Sequence, residues 1–313
     1  MRASLSLDLD NLWSYLKTHG DSGWADYPSY LEQVVPHITA LADEAGVSLT
    51  VFVVGQDAAF DKNRELLGSL AAAGHEIGNH SFRHEPWIHT YSPAEVADEL
   101  KRAHEAIGQA TGREPRGFRG PGFSISPVIL RTLAGMGYDY DASTLPTWIG
   151  PLARRYYFRS TRLTEEQMRE RSELFGSLAD GLQPNVAYQW DLEGVRLAEI
   201  PVTTLPLGRA PIHVSYLLYL SGFSARLAET YLKLALLGCR MRRQGPSILL
   251  HPLDLLGGDE VPDLEFFPGM DATGSEKRSR TARFVRMLTG SFTVGTMEEH
   301  LAALEPLTRS RTP

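Results

Sequence analysis

This sequence of 313 residues contains very little cysteine and no long apolar run. Its single cysteine, Cys239, cannot form a disulfide within the chain, so nothing in the sequence requires an oxidising compartment. No stretch reaches the roughly 20 uninterrupted apolar residues that a membrane-spanning helix needs. The first ten residues contain no apolar signal region. We therefore expect a cytoplasmic protein.

Basic residues are too few to form a nucleic-acid-binding surface. The chain has 31 Lys and Arg against 38 Asp and Glu, which gives a net charge of −7. Nucleic-acid-binding domains are usually basic, so a nucleic-acid partner is not expected. The hydrophobic fraction of 42% and the charged fraction of 22% are typical of a folded globular protein.

Strand-like and helix-like segments alternate along most of the chain. Strands are predicted at residues 5–9, 47–55, 75–78, 116–119, 138–141, 197–202, 246–251 and 291–297. Helical patterns separate many of them, including 28–46, where Pro36 predicts a break, and 92–111, which begins with a capping sequence. The alternation predicts an α/β fold, a distorted βα barrel of seven or eight parallel strands. An open doubly wound sheet is the alternative.

Two segments interrupt the alternation, and no linker divides the chain convincingly. We expect one domain over residues 1–313, with insertions at about 150–195 and 205–243. Residues 211–243 are unusually apolar and predict an amphipathic helix. Its apolar positions are Leu227, Tyr231, Leu234 and Leu237, and Arg240, Arg242 and Arg243 follow. Such a helix either packs on the core or contacts an anionic membrane surface peripherally.

Chemically reactive residues gather where the predicted strands end. They are Asp8, Asp10, His80, His84, Arg119, Asp139, Asp141 and His251. In a βα barrel the carboxyl ends of the strands form the reactive face. We therefore expect these side chains to share one site.

The first two acids allow three interpretations. Asp8 and Asp10 are two apart in a strand, so both carboxylates point to the same side. They could be solvated acids, with Asp10 capping a helix, or the acidic pair of a metal-dependent glycosyltransferase. The third interpretation gives Asp10 to a metal together with His80 and His84, which lie four positions apart in sequence. Two surface histidines are the alternative for that pair.

Three protein ligands are typical of a catalytic zinc site, because they leave one position for water. The pKa of such a water falls towards about 7, so it becomes a nucleophile at neutral pH. We predict a divalent metal, Zn²⁺ in the first place, with Co²⁺, Ni²⁺ or Mn²⁺ as substitutes.

Four short sequences resemble motifs of the polysaccharide deacetylase family, the NodB-homology group also called carbohydrate esterase family 4. They are GHEIGNHSFRH at 74–84, FRGPGFS at 118–124, YDYDAS at 138–143 and ILLHP at 248–252. They occur in the family's order. The chain departs from the common pattern at Asp8-Leu9-Asp10, since many members have two adjacent aspartates; a D-x-D subgroup carries this form.

The resemblance implies a role for each candidate residue. Asp8 would be the general base, with Arg119 keeping it ionised, although a structural ion pair is the plain alternative for Arg119. His251 would be the general acid, with Asp141 holding it protonated and Asp139 or Asp254 as rivals. The N–H of Gly122 would stabilise the oxyanion. Independently of the resemblance, Trp148 is one of the tryptophans that flank the motifs and could stack on a sugar ring, with core packing as the alternative.

The resemblance also implies the reaction. We expect hydrolysis of an N-acetyl or other small N-acyl group on an amino sugar, in an intracellular or lipid-linked glycan precursor. A metal amidohydrolase acting on a small ureide or formamide is the alternative, followed by a glycosyltransferase.

Overall fold

The computed structural model describes residues 1–150, 181–304 and 306–313. Most of the predicted insertion at 150–195 therefore lies outside the described residues. The strands are β1 (Arg2–Leu9), β2 (Thr50–Val53), β3 (Glu76–Asn79), β4 (Gly117–Phe118), β5 (Tyr140–Asp141), β6 (Tyr188–Leu192), β7 (Val195–Glu199), β8 (Ser247–Leu250), β9 (Thr293–Gly295) and β10 (Ser310–Arg311). The α-helices are α1 (Leu12–His19), α2 (Leu31–Ala45), α3 (Gly55–Ala58), α4 (Arg64–Ala72), α5 (Pro93–Thr111), α6 (Pro127–Gly135), α7 (Val214–Phe223), α8 (Ala225–Met241), α9 (Gly274–Thr289) and α10 (Met297–Ala302).

The described strands form one mostly parallel sheet. Its order is β10-β6-β7-β5-β4-β3-β2-β1-β8, and β9 pairs with the start of β1. The exception to parallel pairing among these strands is the β6–β7 hairpin. Beyond β7, backbone and side-chain hydrogen bonds of 2.8–2.9 Å join Thr203 to Ser247 in β8, so the segment after β7 closes the barrel against β8. The predicted βα barrel is confirmed.

Strand β1 separates an apolar layer from a polar one. Leu5, Leu7 and Leu9 are at most 1% exposed and pack with the apolar faces of the surrounding helices. The alternate residues Ser6 and Asp8 are also buried, but both contact a guanidinium group across the sheet interior. Because side chains alternate along a strand, this one segment contributes to both the core and the polar interior.

The predicted break at Pro36 is wrong, because α2 continues through it from Leu31 to Ala45. Proline there removes one helical N–H, which leaves the carbonyl of Glu32 without its usual partner. Pro36 and Glu32 are both exposed, so water can satisfy that carbonyl. The opposite face of α2 packs into the core and keeps the helix together.

Residues 205–243 fold mainly into α7 and α8, which connect β7 to β8. The residues of α8 that face the core are Ala228, Leu232, Ala235, Leu236 and Cys239. Of the apolar positions that the sequence pattern emphasised, only Tyr231 packs against the core, and the leucines at 227, 234 and 237 are 51–59% exposed. The pattern therefore identified the solvent side of this helix. Among the described residues, no helix combines the length and apolar character needed to cross a bilayer.

Candidate active site

The turn after β1 separates the roles of neighbouring polar residues. The Asn11 side chain accepts the backbone N–H of Leu12 at 2.8 Å and caps α1, so the capping role proposed for Asp10 is wrong. Asp8 and Asp10 are only 4% and 8% exposed, which also excludes a pair of solvated acids. Both carboxylates are held inside the protein by specific partners.

Asp10 meets the two predicted histidines. Its Oδ1 lies 3.2 Å from Nε2 of His80 and 2.8 Å from Nε2 of His84. All three side chains are buried, so the surface interpretation of the histidines is wrong. One potential ligand atom from each residue lies within 4.8 Å of the others. Two imidazoles and a carboxylate are a donor set that suits zinc, with a position left open.

Neighbouring groups orient these side chains. Nδ1 of His80 lies 2.6 Å from the carbonyl oxygen of Arg119, so it donates its proton there and leaves Nε2 as the electron-pair donor. The hydroxyl of Tyr30 donates to the Asp10 carbonyl oxygen at 2.6 Å, and burial together with the nearby Asp10 carboxylate raises the pKa of Tyr15 well above its usual range. Neither tyrosine was identified from the sequence, because each looks like an ordinary core aromatic.

Electrostatics favour a charged Asp10. Burial by itself raises the pKa of this carboxyl, but the adjacent His84 and His80 outweigh burial and hold the pKa well below its usual range. The Nδ1 atom of His84 is buried without a hydrogen-bond partner in the described part of the chain. The donor atoms and their charges therefore fit a divalent cation.

The segment between the two histidines is a loop with two residues in the left-handed region. Ser81 and His84 have φ angles of +62° and +52°, in the left-handed region. The side chain of Glu99 in α5, which is 0% exposed, accepts the backbone N–H of Phe82 at 3.0 Å and that of Arg83. Glu99 thus fixes the loop, and its position inside an amphipathic helix gave no sequence signal of this role.

Asp8 lies between the guanidinium group of Arg119 and the imidazole of His251. Its Oδ1 accepts a hydrogen bond of 2.7 Å from Nη1 of Arg119, which is fully buried. Its Oδ2 lies 4.0 Å from Nε2 of His251. Arg119 also donates to Ser6 and to the carbonyl of Ala142, each at 3.0 Å. The guanidinium is therefore fixed, and it holds one oxygen of Asp8 while the other remains on the His251 side.

The structure assigns His251 different neighbours from the one predicted. Nδ1 of His251 lies 3.1 Å from Oγ of Ser215, at the start of α7. Oδ2 of Asp254 accepts the backbone N–H of His251 at 2.9 Å. Asp254 was one of the rivals considered for this position. Ser215 was missed, since a serine in an apolar segment has no distinctive pattern.

Asp141, predicted to support His251, instead contacts Ser143 and Glu199. Oγ of Ser143 donates to Asp141 at 2.5 Å and accepts the backbone N–H of Gly120 at 2.8 Å. Burial raises the pKa of Asp141, and burial together with Asp141 raises that of Glu199 well above its usual range. This acid pair supports the turn after Arg119. The other rival, Asp139, is bound at the surface by Arg116.

Two further predicted residues lie on exposed loops. Gly122 has a φ of +59°, and an added Cβ would meet Pro86 at 3.0 Å, so the position suits glycine. Trp148 follows β5 and is 39% exposed, with its ring beside Gly181. Neither the oxyanion role of Gly122 nor the substrate contact of Trp148 is tested by this geometry, and both stay predictions.

Sequence comparison associates the first half of the chain with one family. The model of the family described as "Polysaccharide deacetylase" matches residues 21–140. A chitin deacetylase from Pestalotiopsis sp is 30% identical over 109 residues, which are 34% of this chain and 36% of that protein. A peptidoglycan deacetylase from Helicobacter pylori is 27% identical over 157 residues, or 49% of this chain and 51% of that protein. The chain thus matches about a third to a half of the length of these relatives.

Structural comparison extends over almost the whole chain. A protein from Mycobacterium smegmatis, described as a polysaccharide deacetylase, superposes with a TM-score of 0.62 at 20% identity and covers 99% of this chain and 93% of its own. The PuuE allantoinase superposes with a TM-score of 0.57 at 16% identity. The superposition covers 98% of this chain and 92% of the allantoinase. At these identities the likeness concerns the fold.

Proposed function

We propose that this chain, whose residues 21–140 match the polysaccharide deacetylase family model, is a metal-dependent hydrolase that removes the N-acetyl group from an amino sugar. Relatives named chitin, peptidoglycan and chitooligosaccharide deacetylases support this reaction class. The observation that carries the proposal is the arrangement around the end of β1. A buried three-ligand donor set at Asp10, directly after β1, lies next to Asp8, whose Oδ2 is 4.0 Å from Nε2 of His251.

We propose Zn²⁺ at Asp10, His80 and His84. A divalent cation here would supply Lewis-acid polarisation of the acyl carbonyl and make water more acidic. The hydrogen bond from His80 to the Arg119 carbonyl supports this assignment, because it directs Nε2 towards Asp10. Histidine ligands favour zinc, cobalt or nickel over magnesium or calcium, whose usual ligands are oxygen atoms.

The remaining side chains would handle the protons. Asp8 takes a proton from the attacking water with Oδ2, while Arg119 holds Oδ1 and so orients the carboxylate. The N–H of Gly122 is proposed as the donor to the oxyanion. His251 then donates a proton from Nε2 to the amide nitrogen, so that a neutral amine leaves. Ser215 lies at Nδ1 on the opposite edge of the imidazole, and Asp254 accepts the backbone N–H of His251, so the two residues position the ring.

The two aspartates have separate partners, and this argues against the glycosyltransferase alternative. In a nucleotide-sugar site both acids would bind the same metal ion. Here Arg119 donates a hydrogen bond to Asp8, and the two imidazoles lie beside Asp10. The amidohydrolase alternative uses the same chemistry on a small ureide or formamide. We favour an amino sugar in a glycan precursor, with Trp148 as a stacking surface for the sugar ring. The cytoplasmic location stays a prediction.

The test is acetate release from N-acetylated chitooligosaccharides and from N-acetylglucosamine derivatives by zinc-reconstituted protein. We expect release that stops with a chelator and returns with zinc. In His251→Ala, bound zinc should stay near one ion per chain while turnover falls by about 10²–10⁴-fold. Hydrolysis of allantoin or formamides without any acetate release would contradict the amino-sugar proposal, and full activity of His251→Ala would remove the acid role.

A further inference from the structure

The solvent side of α8 carries a row of four exposed apolar side chains, with Thr230 between the first two. Leu227, Leu234, Leu237 and Met241 are 51–77% exposed, and they lie opposite the residues that pack on the core. Positions 227, 234 and 241 are seven apart and lie along one side of a helix. A surface helix usually presents charged or polar residues on this side, so a large exposed apolar row marks a contact surface.

A basic row runs directly beside the apolar one. Arg226, Lys233 and Arg240 precede Leu227, Leu234 and Met241 by one residue each, so the two rows follow the same helix side. The three basic residues are exposed, and no described residue forms an ion pair with them. In a chain of net charge −7, this concentration of positive charge is local. A partner that binds this surface must therefore present apolar groups directly beside negatively charged groups.

The end of α8 brings two guanidinium groups near each other. Arg242 lies close enough to Arg209 to repel it, and burial together with this repulsion lowers the pKa of Arg209. Nη1 of Arg209 is buried without a hydrogen-bond partner in the described part of the protein. Two guanidinium groups with spare donors suit a phosphate oxygen.

The apolar surface continues onto α7 and leads towards the candidate active site. Tyr219 and Phe223 are 55% and 72% exposed, and their rings contact each other with centroids 5.3 Å apart. The other end of the same helix places Ser215 against His251. A helix rises about 1.5 Å per residue, so Phe223 lies roughly 12 Å along the helix from Ser215.

From these features we infer that α7 and α8 form a docking surface for an anionic phospholipid membrane. The α8 axis would lie in the plane of the interface, with the row from Leu227 to Met241, about 21 Å long, in the acyl boundary. The basic row and Arg242 would contact lipid phosphates. A second copy of this chain is the less suitable occupant, because it would leave the basic row without counter-charge.

If the proposed function holds, the docking surface also selects the substrate. A membrane at Phe223 would bring a lipid-linked amino sugar to the opening near His251, whereas a soluble oligosaccharide would gain nothing from it. This consequence rests on the proposed deacetylase activity, while the docking itself does not.

Co-sedimentation of the full chain with vesicles tests the docking. Vesicles of phosphatidylcholine with about a third phosphatidylglycerol should bind the protein, while pure phosphatidylcholine should bind it much more weakly, and salt should release it. Replacing the basic row in Arg226→Gln/Lys233→Gln/Arg240→Gln should weaken partitioning about 100-fold. Replacing the apolar row in Leu227→Gln/Leu234→Gln/Met241→Gln should weaken it at least about 10-fold.

Matched variants elsewhere on the surface serve as controls. Lys101→Gln/Arg113→Gln/Arg131→Gln changes net charge equally, and Val195→Gln removes an equally exposed apolar side chain. Both should bind vesicles like wild type. Circular dichroism and acetate release from a soluble chitooligosaccharide check that every variant is folded.

Three results would overturn the docking surface. They are no binding to the anionic vesicles, binding that none of the α8 variants weakens, and a wild-type dimer that the Leu227→Gln/Leu234→Gln/Met241→Gln variant dissociates. Intact acetate release without vesicle binding would contradict the docking alone. Vesicle binding without any acetate release would contradict the proposed function alone.

Discussion

Two buried groups of carboxylates lie at the ends of strands in the same barrel, and their surroundings have opposite effects. At the end of β1, two imidazoles hold the pKa of Asp10 well below its usual range, against the effect of burial. At the end of β5, burial raises the pKa of Asp141, and burial and Asp141 together raise that of Glu199. The first group keeps negative charge for a cation, whereas the second retains a proton.

The difference shows that an acid at a strand end does not by itself indicate catalysis. Asp8 has a guanidinium beside it and an imidazole 4.0 Å away, so its charge is compensated and one oxygen stays available. Glu199 accepts from Thr144 and from the indole N–H of Trp190, and neither of these partners carries a charge. We expect the first group to determine activity and the second to determine stability.

Asp8→Asn gives the largest expected effect within this comparison. The amide cannot accept the proton from water, so kcat should fall by about 10³-fold. Zinc affinity should change little, since the ligand set is Asp10 with the histidines. Zinc titration by calorimetry and acetate release measure the two quantities. A variant with kcat within threefold of wild type would contradict the base assignment.

Glu99 is a third buried carboxylate, and it accepts hydrogen bonds from backbone N–H groups. The variant Glu99→Ala tests this role. Two backbone N–H groups of the loop between the histidines would lose their acceptor, and zinc affinity should fall about 10–100-fold. Glu99→Gln keeps one acceptor oxygen and should recover most of the affinity. Equal affinities for all three proteins, by competition with a zinc indicator, would show that the loop does not need Glu99.

Much of the ligand set could be predicted from the sequence, but its neighbours could not. Asp10, His80 and His84 lie in short recognisable motifs at predicted strand ends, and the structure brings these three together. Glu99 and Ser215 act across long stretches of chain, from inside helices whose pattern only reports burial. Such contacts depend on tertiary packing, which one sequence does not display.

The fold, like the site, could be predicted from the sequence only in part. Strand and helix periodicity predicted the βα alternation, and the capping sequence at Ser92 correctly gave the start of α5. The antiparallel β6–β7 hairpin was missed, because its strands fall at the edge of a segment interpreted as an insertion. For α8, periodicity alone could not distinguish the core side from the solvent side, as both carry apolar residues.

Ser215→Ala should reduce acetate release from an amide substrate about tenfold, because the imidazole of His251 loses a partner at Nδ1. An activated aryl acetate needs no protonation of its leaving group, so its hydrolysis should be nearly unchanged. His251→Ala should also lose more activity on the amide than on the aryl acetate, and this difference should be larger than in Ser215→Ala. An equal loss on both substrates in Ser215→Ala would indicate a general structural role instead of support for the acid.

Asp141→Asn should have the smallest effect, and it should appear in stability. The folded wild type retains a proton that the unfolded chain releases above about pH 4.5, so its stability falls as pH rises above that value. Without the charge of Asp141 the pKa of Glu199 is raised less, and the fall should be smaller by on the order of 1 kcal/mol. Urea denaturation at pH 5 and pH 8 measures this difference. Parallel pH dependences would contradict the effect of Asp141 on the pKa of Glu199.

Zinc titration of Asp10→Asn beside Asp141→Asn tests the central claim most directly. The two variants make the same chemical change in the two acid groups, and calorimetry gives stoichiometry and affinity for each. The account predicts one zinc ion per chain for wild type and for Asp141→Asn, with binding abolished or weakened at least about 100-fold in Asp10→Asn. Wild-type affinity in Asp10→Asn would contradict a metal site at the end of β1.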